Sequence, residues 1–145
     1  MNQAYLEHSN ITVKDPDITA ALLCKLFDWK IRWSGAALNG GYTVHVGGEQ
    51  TYLALYKPKP IHQRVSLQST HNDVRNLNHL GVAVTDLKET ERRVRDAGLR
   101  RFSHANCEPG QRFCFNTDDG IEIEVISYQS NLRQASFFEL ASMQK

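Results

Sequence analysis

A weak internal repeat constrains the fold of this chain more than any other feature of its sequence. Residues 6–15 (LEHSNITVKD) resemble residues 77–86 (LNHLGVAVTD). The leucine, the histidine, the last valine and the closing aspartate recur at the same offsets. A repeat of this kind indicates that each copy opens one supersecondary unit, so that the chain is built twice on the same plan.

Each copy of the repeat has the pattern of a strand followed by a helix. Apolar and polar residues alternate in both copies, which is typical of a half-buried strand. The alternation places His8 and His79 on the side of the strand that faces away from the apolar stripe. Asp15 and Asp86 then stand where helix N-caps are expected, and Pro16 suits a first helical position.

Three further strands are predicted after each helix. In the first half they lie at 29–33, 42–46 and 51–56, and in the second half at 99–103, 112–116 and 121–127. Glycine, asparagine and aspartate supply the turns between them. The fold class is therefore α+β, with two tandem βαβββ modules that form a curved mixed sheet around a cavity, because one helix covers only one face of each sheet.

The chain is long enough for one ordinary domain over residues 1–145. The first module is expected at about 4–57 and the second at about 77–128. A linker with two prolines occupies 58–76, and a tail helix is predicted at 131–145. Residues 104–109 are expected to form a loop that covers the cavity.

Composition and charge exclude several kinds of partner. The net charge is +1, and no dense basic patch indicates nucleic-acid binding. No apolar run approaches the roughly 18 residues that cross a membrane, and the N-terminus lacks a signal-peptide pattern. Three cysteines without a Cys-x-x-Cys pair argue against disulfides or a zinc–thiolate knot. We expect a cytoplasmic protein with a small-molecule substrate, which forms a homodimer through its unpaired strand edges.

With this organisation, the sequence resembles the vicinal-oxygen-chelate superfamily of glyoxalases, bleomycin- and fosfomycin-resistance proteins and extradiol dioxygenases. The resemblance covers residues 5–128. Its most specific parts are residues 77–86 and the stretch DDGIEIEV at 118–125. It implies a glyoxalase-like fold in which both modules contribute ligands to one divalent metal ion.

The resemblance implies His8, His79 and Glu124 as the metal ligands. Two imidazoles and a carboxylate suit a divalent first-row ion such as Zn, Ni, Mn or Fe, and they leave positions open for substrate. The fourth position, where many glyoxalase I enzymes carry a carboxylate, falls at Tyr52. A neutral phenol is a poor metal ligand, so this departure weakens a lactoylglutathione lyase activity.

Other side chains are predicted to line the same cavity. His45 is a candidate general base, and Glu122 is a candidate base or partner of the ligands. The candidates for contact with the substrate are Tyr52, Trp33, Tyr56, Arg112 and Cys114.

Two functions remain open from the sequence. The first is a metal-dependent enzyme that acts on a small oxygenated molecule by isomerase, lyase or thiol-transferase chemistry, in which the metal polarises a substrate oxygen. The alternative is a metal-free, bleomycin-resistance-like protein that binds a small molecule or drug. A regulatory module that kept the fold and lost the chemistry is a third possibility.

Overall fold

Two units of secondary structure follow one another along the chain, Met1–Val65 and Ser66–Lys145. A computed structural model describes residues 4–59, 74, 77–107 and 110–128. Most of the predicted linker and all of the predicted tail helix lie outside the described residues. Each unit is described by itself below.

The first unit has the element order expected from the repeat. Strand β1 spans His8–Thr12, helix α1 Pro16–Phe27, strand β2 Lys30–Ala36, strand β3 Tyr42–Gly47 and strand β4 Tyr52–Lys57, with a 3-10 turn at Leu38–Gly40 before β3. The strands form a mixed four-stranded sheet in the order β1-β4-β3-β2. Strand β1 is parallel to β4, and the other neighbours are antiparallel.

The second unit repeats this topology. Strand β5 spans Leu80–Ala83, helix α2 Leu87–Asp96, strand β6 Arg101–Cys107, strand β7 Gly110–Asn116 and strand β8 Glu122–Tyr128. The sheet order is β5-β8-β7-β6, with β5 parallel to β8. The predicted α+β architecture of two βαβββ modules is thereby confirmed.

Both helices begin at the predicted aspartate caps. The Asp15 carboxylate accepts hydrogen bonds from the backbone N–H groups of Asp17 and Ile18, at 3.0 and 3.1 Å. The Asp86 carboxylate accepts from the Glu89 N–H at 3.0 Å. Such caps satisfy backbone donors that have no partner inside the helix, and each stabilises its helix by about 1 kcal/mol.

Each helix packs on one face of its own sheet. In the first unit, the hydrophobic core residues that are at most 1% exposed come from α1, β3 and β4: Ala20, Leu23, Leu26, Val44, Val46 and Leu55. In the second unit, the residues at most 2% exposed are Val94, Phe113, Phe115, Ile123 and Val125. Side chains alternate along a strand, so the residues between these project from the opposite face. We call that opposite face the outer face of each unit.

The second strand of each unit is longer than predicted and carries a bulge. The pairing register shifts between Ile31 and Trp33 in β2, and between Phe102 and Ala105 in β6. The predicted loop at 104–109 is wrong for His104 and Cys107, which lie in β6. The bulge turns His104 toward α2, where its Nε2 lies 2.8 Å from Glu91 Oε1. A bulge inserts an unpaired residue and re-aims its neighbours, which simple alternation does not reveal.

Candidate functional site

Four rings form a continuous row on the outer face of the first unit. His8 lies opposite Tyr52 in the parallel pairing of β1 and β4, and the two rings stack with centroids 5.0 Å apart. Tyr52 also stacks on His45, at 4.7 Å. His45 in turn contacts Trp33 at 5.2 Å. We call Trp33, His45, Tyr52 and His8 the aromatic row.

Tyr56 shares this face but lies toward the other end of its strand. It pairs with Thr43 on β3. Its ring occupies the space beside Gly41, because a Cβ added to that glycine would lie 2.6 Å from the ring. Among the predicted substrate-contacting residues, Trp33, Tyr52 and Tyr56 therefore all lie on the face that carries His8 and His45.

Arg32 belongs to this face and was missed by the sequence analysis. Its guanidinium carbon lies 4.7 Å from the centroid of the Tyr52 ring, which is a cation–π contact. Strict alternation would put Arg32 and Trp33 on opposite faces of β2. The bulge at this point brings both to the outer face, and no turn residue in the sequence signals it.

The outer face of the second unit carries the predicted carboxylates. Glu124 lies opposite Gly81 across β5 and β8, and opposite Cys114 across β7 and β8. Paired residues share a face, and alternation puts His79, just before β5, on the side of Gly81. A Cβ added to Gly81 would meet nothing within 4 Å, so the outer face is open at Gly81.

The two repeated histidines have similar local surroundings. The Nδ1 of His8 is hydrogen-bonded to the carboxylate of Glu7, the preceding residue. The Nδ1 of His79 is 2.6 Å from Oδ1 of Asn78, again the preceding residue. In both rings Nδ1 is thus held by a neighbour and Nε2 is the nitrogen left for another partner. A hydrogen bond at one ring nitrogen that orients the other is typical of metal-binding histidines.

Glu124 has one cationic neighbour on the same face. Arg112 Nε lies 3.8 Å from Glu124 Oε2, and both side chains are partly buried. Arg112 lies opposite Ile126 in the pairing of β7 with β8, which keeps it on the outer face. The pair places a cation beside the predicted metal ligand Glu124.

Two titratable groups near these residues depart from their ordinary behaviour. Burial lowers the pKa of His45, and the charges of His8 and Arg32 lower it further. Its imidazole is therefore neutral at neutral pH, as a proton acceptor must be. Burial raises the pKa of the Cys114 thiol to about 11, helped by the carboxylates of Glu122 and Glu124. Cys114 is buried and stays protonated, which is the behaviour of an unreactive thiol.

We expect Cys114 to resist alkylation at pH 8. With a pKa near 11, roughly one thiol in a thousand is ionised at that pH, so iodoacetamide should label it at least ~100-fold more slowly than a free cysteine. Mass spectrometry of labelled peptides gives the rate, and Cys114→Ser identifies the peptide. Labelling should accelerate as the pH rises toward 11. Labelling at the rate of a free thiol at pH 8 would contradict this account of the site.

The described ranges contain no group of three or more His, Cys, Asp or Glu side chains arranged to hold a metal ion. The second unit has two of the three predicted ligands on one face, His79 and Glu124, beside the open space at Gly81. The donor chemistry of this pair fits a divalent first-row ion, and a complete site needs a further donor.

Strand pairing also corrects the expected equivalence between the units. Tyr52 lies opposite His8, whereas Glu124 lies opposite Gly81, two residues after His79. The counterpart of Glu124 in the first unit is therefore Ala54, which lies opposite Asn10. Tyr52 corresponds instead to Glu122. Strand β4 thus has no carboxylate at the two positions that correspond to Glu122 and Glu124.

The chain carries two βαβββ modules in tandem, and its family follows from the sequence match. The family model of the Glyoxalase/Bleomycin resistance protein/Dioxygenase superfamily matches residues 5–125. The chain belongs to this superfamily. No curated protein sequence matches it significantly. Within the described ranges, no helix has the length and apolar character that a membrane crossing requires.

Solved structures with this fold include proteins of several kinds. A glyoxylase/bleomycin resistance protein/dioxygenase domain from Frankia sp. EAN1pec is 20% identical, with a TM-score of 0.70 over 88% of this chain and 100% of that one. TnmS3, an antibiotic-binding protein from Streptomyces sp. CB03234, is 17% identical, with a TM-score of 0.68 over 89% and 99%. A point mutant of the fosfomycin resistance protein FosX from Listeria monocytogenes, complexed with Mn(II) and a dihydroxypropylphosphonic acid, is 15% identical, with a TM-score of 0.67 over 91% and 98%. At these identities the likeness concerns the fold.

Proposed function

We propose that this chain is a metal-dependent enzyme of the superfamily, which acts on a small oxygen-containing molecule by isomerase, lyase or thiol-transferase chemistry. The observation that carries the proposal is the register of β5 and β8, which supports His79 and Glu124 as ligands on one face beside open space at Gly81. His8 is the third ligand of the proposed set. The parallel hydrogen bonding of the two histidines supports a shared role.

A bound divalent ion would supply a Lewis acid that polarises a substrate oxygen. Zn, Ni, Mn and Fe all fit two imidazoles and a carboxylate. The FosX mutant with the same fold is complexed with Mn(II), which supports trying Mn(II) first.

The remaining residues would bind the substrate and move a proton. His45 would accept a proton at its neutral imidazole, because its pKa is lowered. Glu122 is the second candidate base. It accepts a hydrogen bond from the Cys114 thiol, which would orient its carboxylate. Trp33, Tyr52 and Tyr56 would contact the apolar part of the substrate.

The metal content of the purified protein tests the proposal. Wild type prepared without chelator, or loaded with Mn(II), Ni(II), Zn(II) or Fe(II), should hold about one metal ion per chain. His79→Ala and Glu124→Ala should hold almost none, whereas His45→Ala, a matched histidine variant outside the ligand set, should keep it. A wild type that takes up none of these ions would refute the proposal.

His8 must join the other two ligands from the first unit of the same chain or from that of a second copy. We propose a cytoplasmic homodimer, in which either arrangement is available. Mixing His8→Ala with Glu124→Ala distinguishes them. If each site combines two chains, every mixed dimer regains one intact site and metal binding returns in part. If each site lies within one chain, the mixture should bind as little metal as either variant alone.

A second candidate function is binding of a small molecule without metal. The aromatic row favours it, because Trp33 is 51% exposed and presents a large apolar ring to a ligand. A neighbour with the same fold is an antibiotic-binding protein. Saturable ligand binding by a wild type that never takes up metal would establish this alternative.

A further inference from the structure

Arg32, a cation on the outer face of the first unit, has no ion-pair partner among the residues that the structure describes. Its guanidinium lies over the Tyr52 ring. Arg32 is also exposed to solvent at the bulge in β2. The guanidinium is planar, and when it lies over an aromatic ring the N–H donors at its edge can still pair with a carboxylate.

The charges around Arg32 make this face favourable for an anion. His8 and His45 lie on the same face, and the nearby carboxylate, Glu7, is already hydrogen-bonded to His8. In addition to burial, the charge of Arg32 reaches His45 and lowers its pKa, while Glu7 acts in the opposite direction. A ligand with a negative charge would therefore meet a guanidinium and two imidazoles, and the carboxylate that acts on His45, that of Glu7, is hydrogen-bonded to His8.

The indole of Trp33 offers an exposed surface on which a ligand ring can stack. A Cβ added to Gly35 would lie 2.8 Å from Cζ2 of Trp33, so the absence of a side chain at Gly35 lets the indole lie along the strand. The indole remains 51% exposed. Beside it, Thr43 is 7% exposed, and its hydroxyl has no hydrogen-bond partner in the described part of the chain. Thr43 pairs with Gly35 across β2 and β3, on the same face.

We propose that the outer face of the first unit binds a planar aromatic carboxylate, with the aromatic ring of the ligand against the exposed indole of Trp33 and its carboxylate on Arg32. The Thr43 hydroxyl supplies an additional donor at the base of this surface. The inference rests on the proposed function in one respect, because it names the class of small molecule that the proposed enzyme would bind. The residues involved belong to one unit and need no metal.

The alternative ligands fit this face less well. A cationic aromatic molecule would gain stacking but would be repelled by Arg32. A saturated carboxylate would gain the ion pair but lose stacking on the exposed indole. An aromatic carboxylate uses both features, and a charge-assisted pair with a guanidinium is among the stronger polar contacts.

Calorimetric titration of chelator-treated protein with 2-naphthoate tests the inference. Cyclohexanecarboxylate and the cation 2-naphthylmethylammonium serve as matched ligands, and each should bind at least ~10-fold more weakly. Arg32→Gln and Trp33→Leu should each weaken naphthoate binding by ~10-fold or more. Arg95→Gln, an exposed arginine on α2 paired with Asp96, should leave it unchanged.

The outcomes separate this inference from the proposed function. Equal affinity for 2-naphthoate in wild type and Arg32→Gln, or tighter binding of the cation, overturns the inference. Metal uptake is measured on the same samples and should be unaffected by Arg32→Gln. A protein that binds metal and no naphthoate refutes the inference alone, whereas one that binds naphthoate and no metal refutes the metal-dependent function alone. Thermal unfolding of each variant shows whether a loss of binding reflects a loss of fold.

Discussion

Glu124→Gln should weaken the binding of a divalent metal by on the order of 100-fold or more, whereas Glu122→Gln should leave most of it. Both carboxylates project from the outer face of β8, two residues apart. Only Glu124 lies opposite Gly81, where the absence of a side chain leaves room for an ion. Glutamine keeps the size of the side chain and removes the charge, so the comparison isolates the charged oxygen. Titration with Mn(II), followed by the signal of the free ion, measures both affinities.

The Arg112 ion pair provides the control for this comparison. Glu124→Gln also removes the partner of Arg112, at 3.8 Å. Arg112→Gln removes the same pair and keeps the carboxylate, so it should bind metal nearly as well as wild type. An equal loss in Glu122→Gln and Glu124→Gln would show that the assignment of Glu124 as the ligand is wrong.

Phe113→Ala should lower the free energy of unfolding by about 3–5 kcal/mol. The Phe113 side chain is 0% exposed at the centre of the second unit, and it contacts the rings of Phe115 and His104. Removing the ring deletes buried apolar surface and leaves a cavity that neighbours on a sheet fill poorly. Urea unfolding, monitored by circular dichroism, gives the change in free energy.

Tyr128→Ala is the matched control for this truncation. Tyr128 ends strand β8 in the same unit and is 37% exposed, so its replacement should cost about 1 kcal/mol or less. If Phe113→Ala were as mild as Tyr128→Ala, the placement of Phe113 in the core would be contradicted.

The sequence predicted the elements whose signals are local. Asp15 and Asp86 mark helix starts because a short carboxylate side chain reaches the free N–H groups of the first turn. Alternation indicates which face of its strand a residue occupies, because side chains along a strand alternate strictly. His8 lies on the outer face of β1, and Val44 lies on the buried face of β3. The family match and the topology confirm the fold that these signals indicated.

Features that depend on pairing between strands could not be predicted in the same way. The bulge in β2 puts Arg32 beside Tyr52, and the bulge in β6 turns His104 toward Glu91. Each bulge is defined by the partner strand, and the sequence of one strand carries little trace of it. This is why the sequence analysis missed Arg32 and placed His104 in a loop.

The pairing register of the last strand in each unit also could not be predicted from the sequence. Tyr52 and Glu124 each lie four residues after a glycine of the preceding turn, which makes them counterparts by sequence. Strand pairing instead makes Tyr52 the counterpart of Glu122. The connections before β4 and β8 differ in sequence, so a count from the turn does not preserve the register. The assignment of Glu124 as a ligand remains a prediction that the glutamine variants test.

The number of histidine nitrogens bound to the metal tests the central claim most directly. Pulsed electron paramagnetic resonance of Mn(II)-loaded protein detects imidazole nitrogens coupled to the ion. We predict two coupled imidazoles in wild type and in His45→Ala, whereas His8→Ala and His79→Ala should hold too little Mn(II) to give a coupled signal. A bound ion with no coupled imidazole, or a wild type that binds no Mn(II), Ni(II), Zn(II) or Fe(II), would contradict the account.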